Sequence, residues 1–168
     1  YSMQGKGSFP TLQRLPGISG FHSFTSEVQR NGQEPGTQVL ALDMTEALPG
    51  EIVSKLSVAA NEDGQQVHLR RLRLIDGKPI AVEDAWLPVA LFPDLDLADL
   101  GEGSLYAHLA DRWGLEPAWT DALIEPEIAT GETAGLLQIA PGDPVLVAWR
   151  ITLTADDKVF ERVRSVYR

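Results

Sequence analysis

The chain has 168 residues, 43% of them hydrophobic and none of them cysteine, and a formal net charge of −10. That is enough apolar matter for one globular core. It excludes disulfides and thiolate metal sites, and so acidic a surface excludes this chain by itself as a grip on nucleic-acid phosphates.

No apolar run approaches the ~20 residues of a membrane helix, and the N-terminus lacks the charged-then-apolar pattern of a signal peptide. A cytoplasmic protein with no membrane partner is expected. His22, His68 and His108 lie far apart without ligand spacing, so no metal site and no cofactor are expected.

In chain order, residues 1–9 are glycine-rich and polar, and the stretch from Thr11 to Gly20, with Pro16, Gly17 and Gly20, reads as a linker. His22 to Asn31 predicts a short helix, with His22, Ser23 and Thr25 as capping candidates and Gly32 as its stop. Gln38 to Met44 alternates toward a strand, and Leu48 to Leu56 predicts a helix with Pro49 in its first turn.

Gln66 to Leu74 and Pro79 to Trp86 predict two strands joined through Asp76-Gly77-Lys78, a strong hairpin signal. Asp94 to Asp99 superficially resembles a calcium loop, but it lacks the required glycine and distal glutamate and reads as a polar turn. Ser104 to Trp113 predicts a helix stopped by Gly114. Ala122 to Ile128 predicts a strand, Thr130 to Leu137 a helix capped by Thr130, and Pro144 to Thr154 with Val159 to Tyr167 a final strand pair. Hairpin-linked strands mixed with short helices predict an α+β fold with a mostly antiparallel sheet.

The strand Val67-His68-Leu69-Arg70-Arg71-Leu72-Arg73-Leu74 carries the most information. Alternate residues share a face, so Val67, Leu69, Arg71 and Arg73 stand on one side and His68, Arg70, Leu72 and Leu74 on the other. Each face changes character halfway along. A sheet that lines a core at one end and an anion cleft at the other would produce this pattern.

Arg71 and Arg73 then stand about 7 Å apart, two strand rises, which suits a phosphate or carboxylate. The competing reading is a set of structural ion pairs or aggregation-blocking charges. Glu83, on the partner strand, either accepts hydrogen bonds from a ligand or neutralises an arginine.

Ser104, with Leu105 and Tyr106, opens a helix whose free N–H groups attract anions; an ordinary N-cap is the alternative. The same pair of readings applies to Ser23, Phe24 and Thr25. Glu161, Val163, Ser165 and Tyr167 share a face of the last strand, toward a polar ligand or toward solvent. The chain has no G-x-S-x-G elbow, no P-loop and no G-x-G-x-x-G, so nothing singles out an enzyme.

Five segments in order resemble a known family: SFTSEVQRNGQEPG (Ser23 to Gly36), RRLRLIDGKPIAVED (Arg70 to Asp84), SLY (Ser104 to Tyr106), GDPVLVAWR (Gly142 to Arg150) and FERVRSVYR (Phe160 to Arg168). They are similar to the UTRA domain, the effector-binding half of GntR/HutC transcription repressors, and within it to the amino-sugar repressors of the NagR/DasR kind. GKGSFP (Gly5 to Pro10) resembles the GxGTFV segment that ends the family's winged helix-turn-helix.

The resemblance implies a chorismate-lyase-like sheet flanked by short helices. It divides the chain into a wing remnant (1–10), a linker (11–20) and the effector domain (21–168). It implies a non-enzymatic sensor, a homodimer that meets DNA only through an N-terminal domain beyond this chain. Carried over by residue, Arg71, Arg73, Ser104 and Tyr106 hold the effector's phosphate beside Ser23, Phe24 and Thr25, and Glu83, Glu161 and Tyr167 face its sugar. The implied effector is glucosamine-6-phosphate or N-acetylglucosamine-6-phosphate.

The alternatives are a sensor of another anion (a phosphonate, another sugar phosphate or a carboxylate) or a chorismate-lyase-like enzyme on the same fold. Trp86, Trp113, Trp119 and Trp149 are more indole than such domains usually carry, and one of them in the cleft would alter ligand choice.

Overall fold

In the computed structural model, residues 2–3, 7–8, 23–56, 64–92, 100 and 104–168 are described. The linker expected over 11–20, His22 of the first expected helix and the calcium-like stretch Asp94 to Asp99 lie outside them. Ser2–Met3 (β1) and Gly7–Ser8 (β2) pair antiparallel.

The central hairpin is the one that the turn residues predict. Asp76 and Gly77 take φ of 51° and 75°, the left-handed pair a tight two-residue turn requires. They join Gln66–Ile75 (β4) to Lys78–Pro88 (β5). The Asp76 carboxylate also accepts from the Glu34 backbone N–H at 2.9 Å and the Gln33 side chain at 3.2 Å. One turn residue thereby pins the start of the neighbouring strand, Pro35–Thr45 (β3).

Three further strands complete the sheet: Trp119–Ile128 (β6), Pro144–Leu153 (β7) and Val159–Tyr167 (β8). The order is β3-β4-β5-β8-β7-β6, and every neighbouring pair is antiparallel. The α+β, chorismate-lyase-like architecture is therefore the one observed. β3 and β6 each start three residues earlier than their hydrophobic alternation predicts, because pairing with β4 and β7 extends them.

Among the described residues four short α-helices cover the sheet: Phe24–Arg30 (α1), Gly50–Leu56 (α2), Leu105–Trp113 (α3) and Gly131–Leu137 (α4). The Ser23 hydroxyl caps α1 through the Ser26 N–H at 3.1 Å, and Ser104 caps α3 through the Ala107 N–H at 3.3 Å. Gly114 ends α3 with φ 63°. The cap expected at Thr130 is only positional: Thr130 precedes α4, but its side chain makes no capping hydrogen bond.

Ile52 of α2 and Ala134 and Leu137 of α4 pack with Leu72, Val82, Trp86, Val147, Trp149 and Val166 on one face of the sheet. Leu105 and Leu109 of α3 pack with Val67, Leu69, Ala85, Leu87, Phe92 and Val163 on the other.

The mid-strand change of character on β4 follows directly. On the α3 face Val67 and Leu69 enter the core while Arg71 and Arg73 pass beyond it. On the α2–α4 face Leu72 is core, and His68 sits at the margin between Asp43 and Asp84, stacked on Trp86 at 5.0 Å.

Candidate functional site

Strand register brings the polar ends together. Arg71 on β4 lies opposite Glu83 on β5, and Glu83 lies opposite Ser165 on β8. Glu161, two strand steps before Ser165 on the same face, meets Thr152 on β7, and Arg150 stands two residues earlier on that strand. Over this patch lie the first residues of α1 and α3. Among the described residues the cleft is lined by Ser23, Phe24, Thr25, Arg71, Arg73, Glu83, Ser104, Leu105, Tyr106, Arg150 and Glu161.

Nine of the ten expected site residues therefore converge. The tenth, Tyr167, is buried beside Ala81 and Ala148, on the cleft's side of the sheet but not on its wall. Its phenol is pushed up to about 12 by burial and by the nearby Glu83 carboxylate. No tryptophan lines the cleft among the described residues.

Two ion clusters build the walls. In the first, Glu83 Oε1 accepts from Arg71 Nη2 and from Arg73 Nη2 and Nε at 2.9 and 3.2 Å. Arg73 also donates to Thr37 Oγ1 at 2.9 Å and lies 5.1 Å from the Phe24 ring centroid. In the second, Glu161 Oε2 accepts from the Tyr106 hydroxyl at 2.7 Å and from Arg150 Nη2 at 3.4 Å. Arg71, Arg73, Arg150, Glu83 and Glu161 are all buried.

The neutralising role for Glu83 is thus present, and so is a cleft beside it. Among the described residues lining the cleft, three guanidiniums face two carboxylates. Arg71 Nε is buried without a hydrogen-bond partner, an unmet donor in a low-dielectric wall.

Arg150 closes the segment GDPVLVAWR but was not among the expected site residues. Its signal in the sequence was a lone cation inside the apolar run Val147-Ala148-Trp149-Arg150-Ile151, where a charge needs a partner across the sheet.

Burial by itself would raise the Glu83 pKa, but Arg73, Arg71 and Arg150 outweigh it and hold the carboxyl at about 2, below its usual 4.5. A carboxylate depressed on folding contributes stability that is fully present above its unfolded value and is lost as pH falls through its folded one. Acid titration of the unfolding free energy is therefore expected to fall between pH 4.5 and 2, with Glu83→Gln removing that part of the slope. Burial, followed by the Glu161 charge, raises the Tyr106 phenol, so it stays protonated and donates.

The space enclosed by these groups is small, about 20 Å³, room for roughly one water molecule. A larger groove of about 370 Å³ on the opposite face is lined by Asp43, Met44, Thr45, Ala47, Pro49, His68 and Trp86. It lacks any arginine and carries a carboxylate at its rim, the wrong sign for an anion. Among the described residues no group of side chains fits a metal ion, and no helix is long and apolar enough to cross a membrane.

The UTRA domain pattern matches residues 30–168. The chain belongs to the UTRA domain family. As a UTRA domain it is an effector-binding domain of the GntR/HutC regulator type. It is 28% identical over 173 residues to the HTH-type transcriptional repressor NagR of Bacillus subtilis (strain 168), covering all of this chain and 68% of that protein.

It is also 26% identical over 167 residues to the mannosyl-D-glycerate transport/metabolism system repressor MngR of Escherichia coli (strain K12), covering 99% of this chain and 68% of that protein. The effector domain of PhnF from Mycobacterium smegmatis superposes with a TM-score of 0.75 at 25% identity, covering 93% of each chain. The ligand-binding domain of a GntR-family regulator from Bordetella bronchiseptica does so at 0.70 and 28%, covering 80% of this chain and 83% of that one.

Proposed function

We propose that this UTRA domain senses a small phosphorylated metabolite, an amino-sugar phosphate such as glucosamine-6-phosphate or N-acetylglucosamine-6-phosphate, and passes its presence to a DNA-binding domain on the same protein. The observation that carries the reading is the convergence of Arg71, Arg73 and Arg150 in one buried cleft with the Ser23, Thr25 and Ser104 hydroxyls. Arg71 and Arg73 bind the phosphate as charge-assisted donors, with Ser104 and the N–H groups at the start of α3 beside them. Glu83 and Glu161 accept from the sugar's hydroxyl, amino or amide groups, and Tyr106, with Ser104, stays on the phosphate side. NagR among the relatives and the motif resemblance both favour an amino sugar.

The tightness of the cleft supplies the switch. A ligand that displaced the starts of α1 and α3 from the sheet would make bound and empty domains differ in where those helices begin. A ligand shifts a conformational equilibrium only by its differential affinity for the two states. In a homodimer this motion alters the spacing of two DNA-binding domains. Residues 1–10, as the end of a wing, and 11–20, as a linker, would carry it. The same reading makes the chain a cytoplasmic, non-enzymatic regulator.

Isothermal titration is expected to give micromolar or tighter binding of one of the two amino-sugar phosphates and none of the unphosphorylated sugar. Heat only with a phosphonate or a non-sugar carboxylate would replace the amino-sugar assignment with another anion. Release of pyruvate from chorismate would replace the sensor with a lyase.

A further inference from the structure

The face of the sheet opposite the arginine cleft carries the larger cavity, and its chemistry is the reverse of the cleft's. Register sets Asp43 of β3, His68 of β4 and Trp86 of β5 in one row across three strands. With Thr45, Ala47 and Pro49 they line the groove of about 370 Å³, within the size range of small-molecule sites. Trp86, Ala47 and Pro49 give it apolar wall. Among the described residues neither lysine nor arginine lines it, so its charge is set by Asp43, whose side chain is 62% exposed.

His68 divides its two nitrogens between two carboxylates. Nε2 lies 2.9 Å from Asp84 Oδ1, and Nδ1 lies 3.3 Å from Asp43 Oδ1. A neutral imidazole carries one proton, and the closer Asp84 receives it. Nδ1 and the Asp43 carboxylate are then two acceptors facing each other with no hydrogen between them. Either a second proton on His68 or a donor from outside answers both. The ring also stacks on Trp86, with 5.0 Å between centroids and 14° between planes, so the indole face already receives a cation whenever His68 is charged.

We propose that this groove is a second binding site, for a small organic cation: a protonated primary amine on a short apolar body. The ammonium, with three N–H donors and no acceptor, bridges Asp43 Oδ1 and His68 Nδ1, and the body lies against Trp86, Ala47 and Pro49. An anion meets Asp43 with the wrong sign, and a neutral alcohol offers one donor to two acceptors. The inference goes beyond the sensing of a phosphorylated metabolite and does not depend on it.

The amine and the second proton of His68 compete for one place. The charged groups about the ring are Asp43 from β3, Asp84 from β5 and, beyond Asp84, Arg70 on β4, with Nε 3.7 Å from Asp84 Oδ1. Ala47 and Pro49, ahead of α2, do not titrate. The hydrogen bond with Asp84, joined by both carboxylate charges, outweighs partial burial and holds His68 above its ordinary 6.5. Amine affinity therefore rises with pH as His68 loses its second proton.

Titration of the isotope-labelled 168-residue chain with phenethylamine is expected to shift the Trp86 indole N–H resonance saturably in the millimolar range. Affinity should be about tenfold higher at about pH 8.5 than at about pH 6. Phenethyl alcohol, the same body without charge, is expected to bind at least tenfold more weakly, and phenylacetate not to bind. Asp43→Asn is expected to weaken amine binding about tenfold and His68→Gln to flatten its pH dependence, while Arg71→Met in the other cleft changes neither. The comparison of amine with alcohol on the wild-type chain holds even if a variant does not fold. No saturable shift at Trp86, equal affinity for amine and alcohol, an affinity unmoved by pH, or loss of binding in Arg71→Met overturns the proposal.

Discussion

Replacing Glu83 with alanine is expected to lower the free energy of unfolding at pH 7 by about 3–5 kcal/mol, the largest loss of stability from any polar substitution in the cleft. Glu83 Oε1 is the common acceptor for Arg71 and Arg73, and all three side chains are buried. Deleting the carboxylate leaves two guanidiniums in a low-dielectric wall with no countercharge between them. Thr37 and the Phe24 ring still meet Arg73, but a neutral hydroxyl and a ring face do not replace a carboxylate.

Glu83→Gln keeps the shape and an acceptor oxygen and should lose less than the alanine variant. Removing the charges together, as in Glu83→Gln with Arg71→Met and Arg73→Met, should recover much of the alanine loss, since a buried ion cluster owes its fragility to being broken unevenly. Urea unfolding with a constant slope across the series is the measurement. A loss below about 1 kcal/mol for Glu83→Ala would mean that water reaches the cluster freely.

Arg71→Met is expected to act in the opposite sense, costing little stability and most of the binding. Arg71 donates to Glu83 through Nη2 alone and leaves Nε buried without a partner. Its removal therefore deletes an unmet donor, while Arg73 still neutralises Glu83. Methionine fills similar volume with no polar atom.

A charge-assisted hydrogen bond to a buried phosphate contributes about 1.5–3 kcal/mol, so effector affinity should fall on the order of 10- to 100-fold. Titration calorimetry of the variant, beside a thermal melt showing a folded domain, measures both quantities. Unchanged affinity would move the anion end of the ligand away from β4, and the function proposed here would need a different anchor. The pair of variants separates the two roles of the cluster: Glu83 chiefly maintains the wall, and Arg71 chiefly meets the ligand.

Much of this was legible because it is local. The left-handed turn at Asp76-Gly77, the serine caps at Ser23 and Ser104 and the stop at Gly114 are each decided by backbone geometry within a few residues. The change of face along Val67 to Leu74 was legible for the same reason: a period of two assigns each side chain to a side before any partner is known.

Arg150 was not legible as part of the cleft, since its place depends on the register between β7 and β8, set by residues far apart in the chain. Tyr167 shows the converse. Its face was assigned correctly, but its depth depends on how closely Ala81 and Ala148 pack against it, and alternation is silent on depth. The early starts of β3 and β6 likewise arise from cross-strand pairing, which extended strands whose own hydrophobic pattern had ended.

The chain's sequence by itself determined the class of fold, the positions of nearly all its elements, the shared face of Arg71 and Arg73, that of Glu161 with Tyr167, and through its ordered motifs the UTRA family. Only the tertiary structure decided that Glu83 is shared between both arginines, that Arg150 and Tyr106 hold Glu161, and that the enclosed space is about 20 Å³. Side-chain direction along a strand follows from the chirality and pleat of a single backbone. Distances between strands, and the volume they enclose, follow from register and packing, which exist only once distant segments have met.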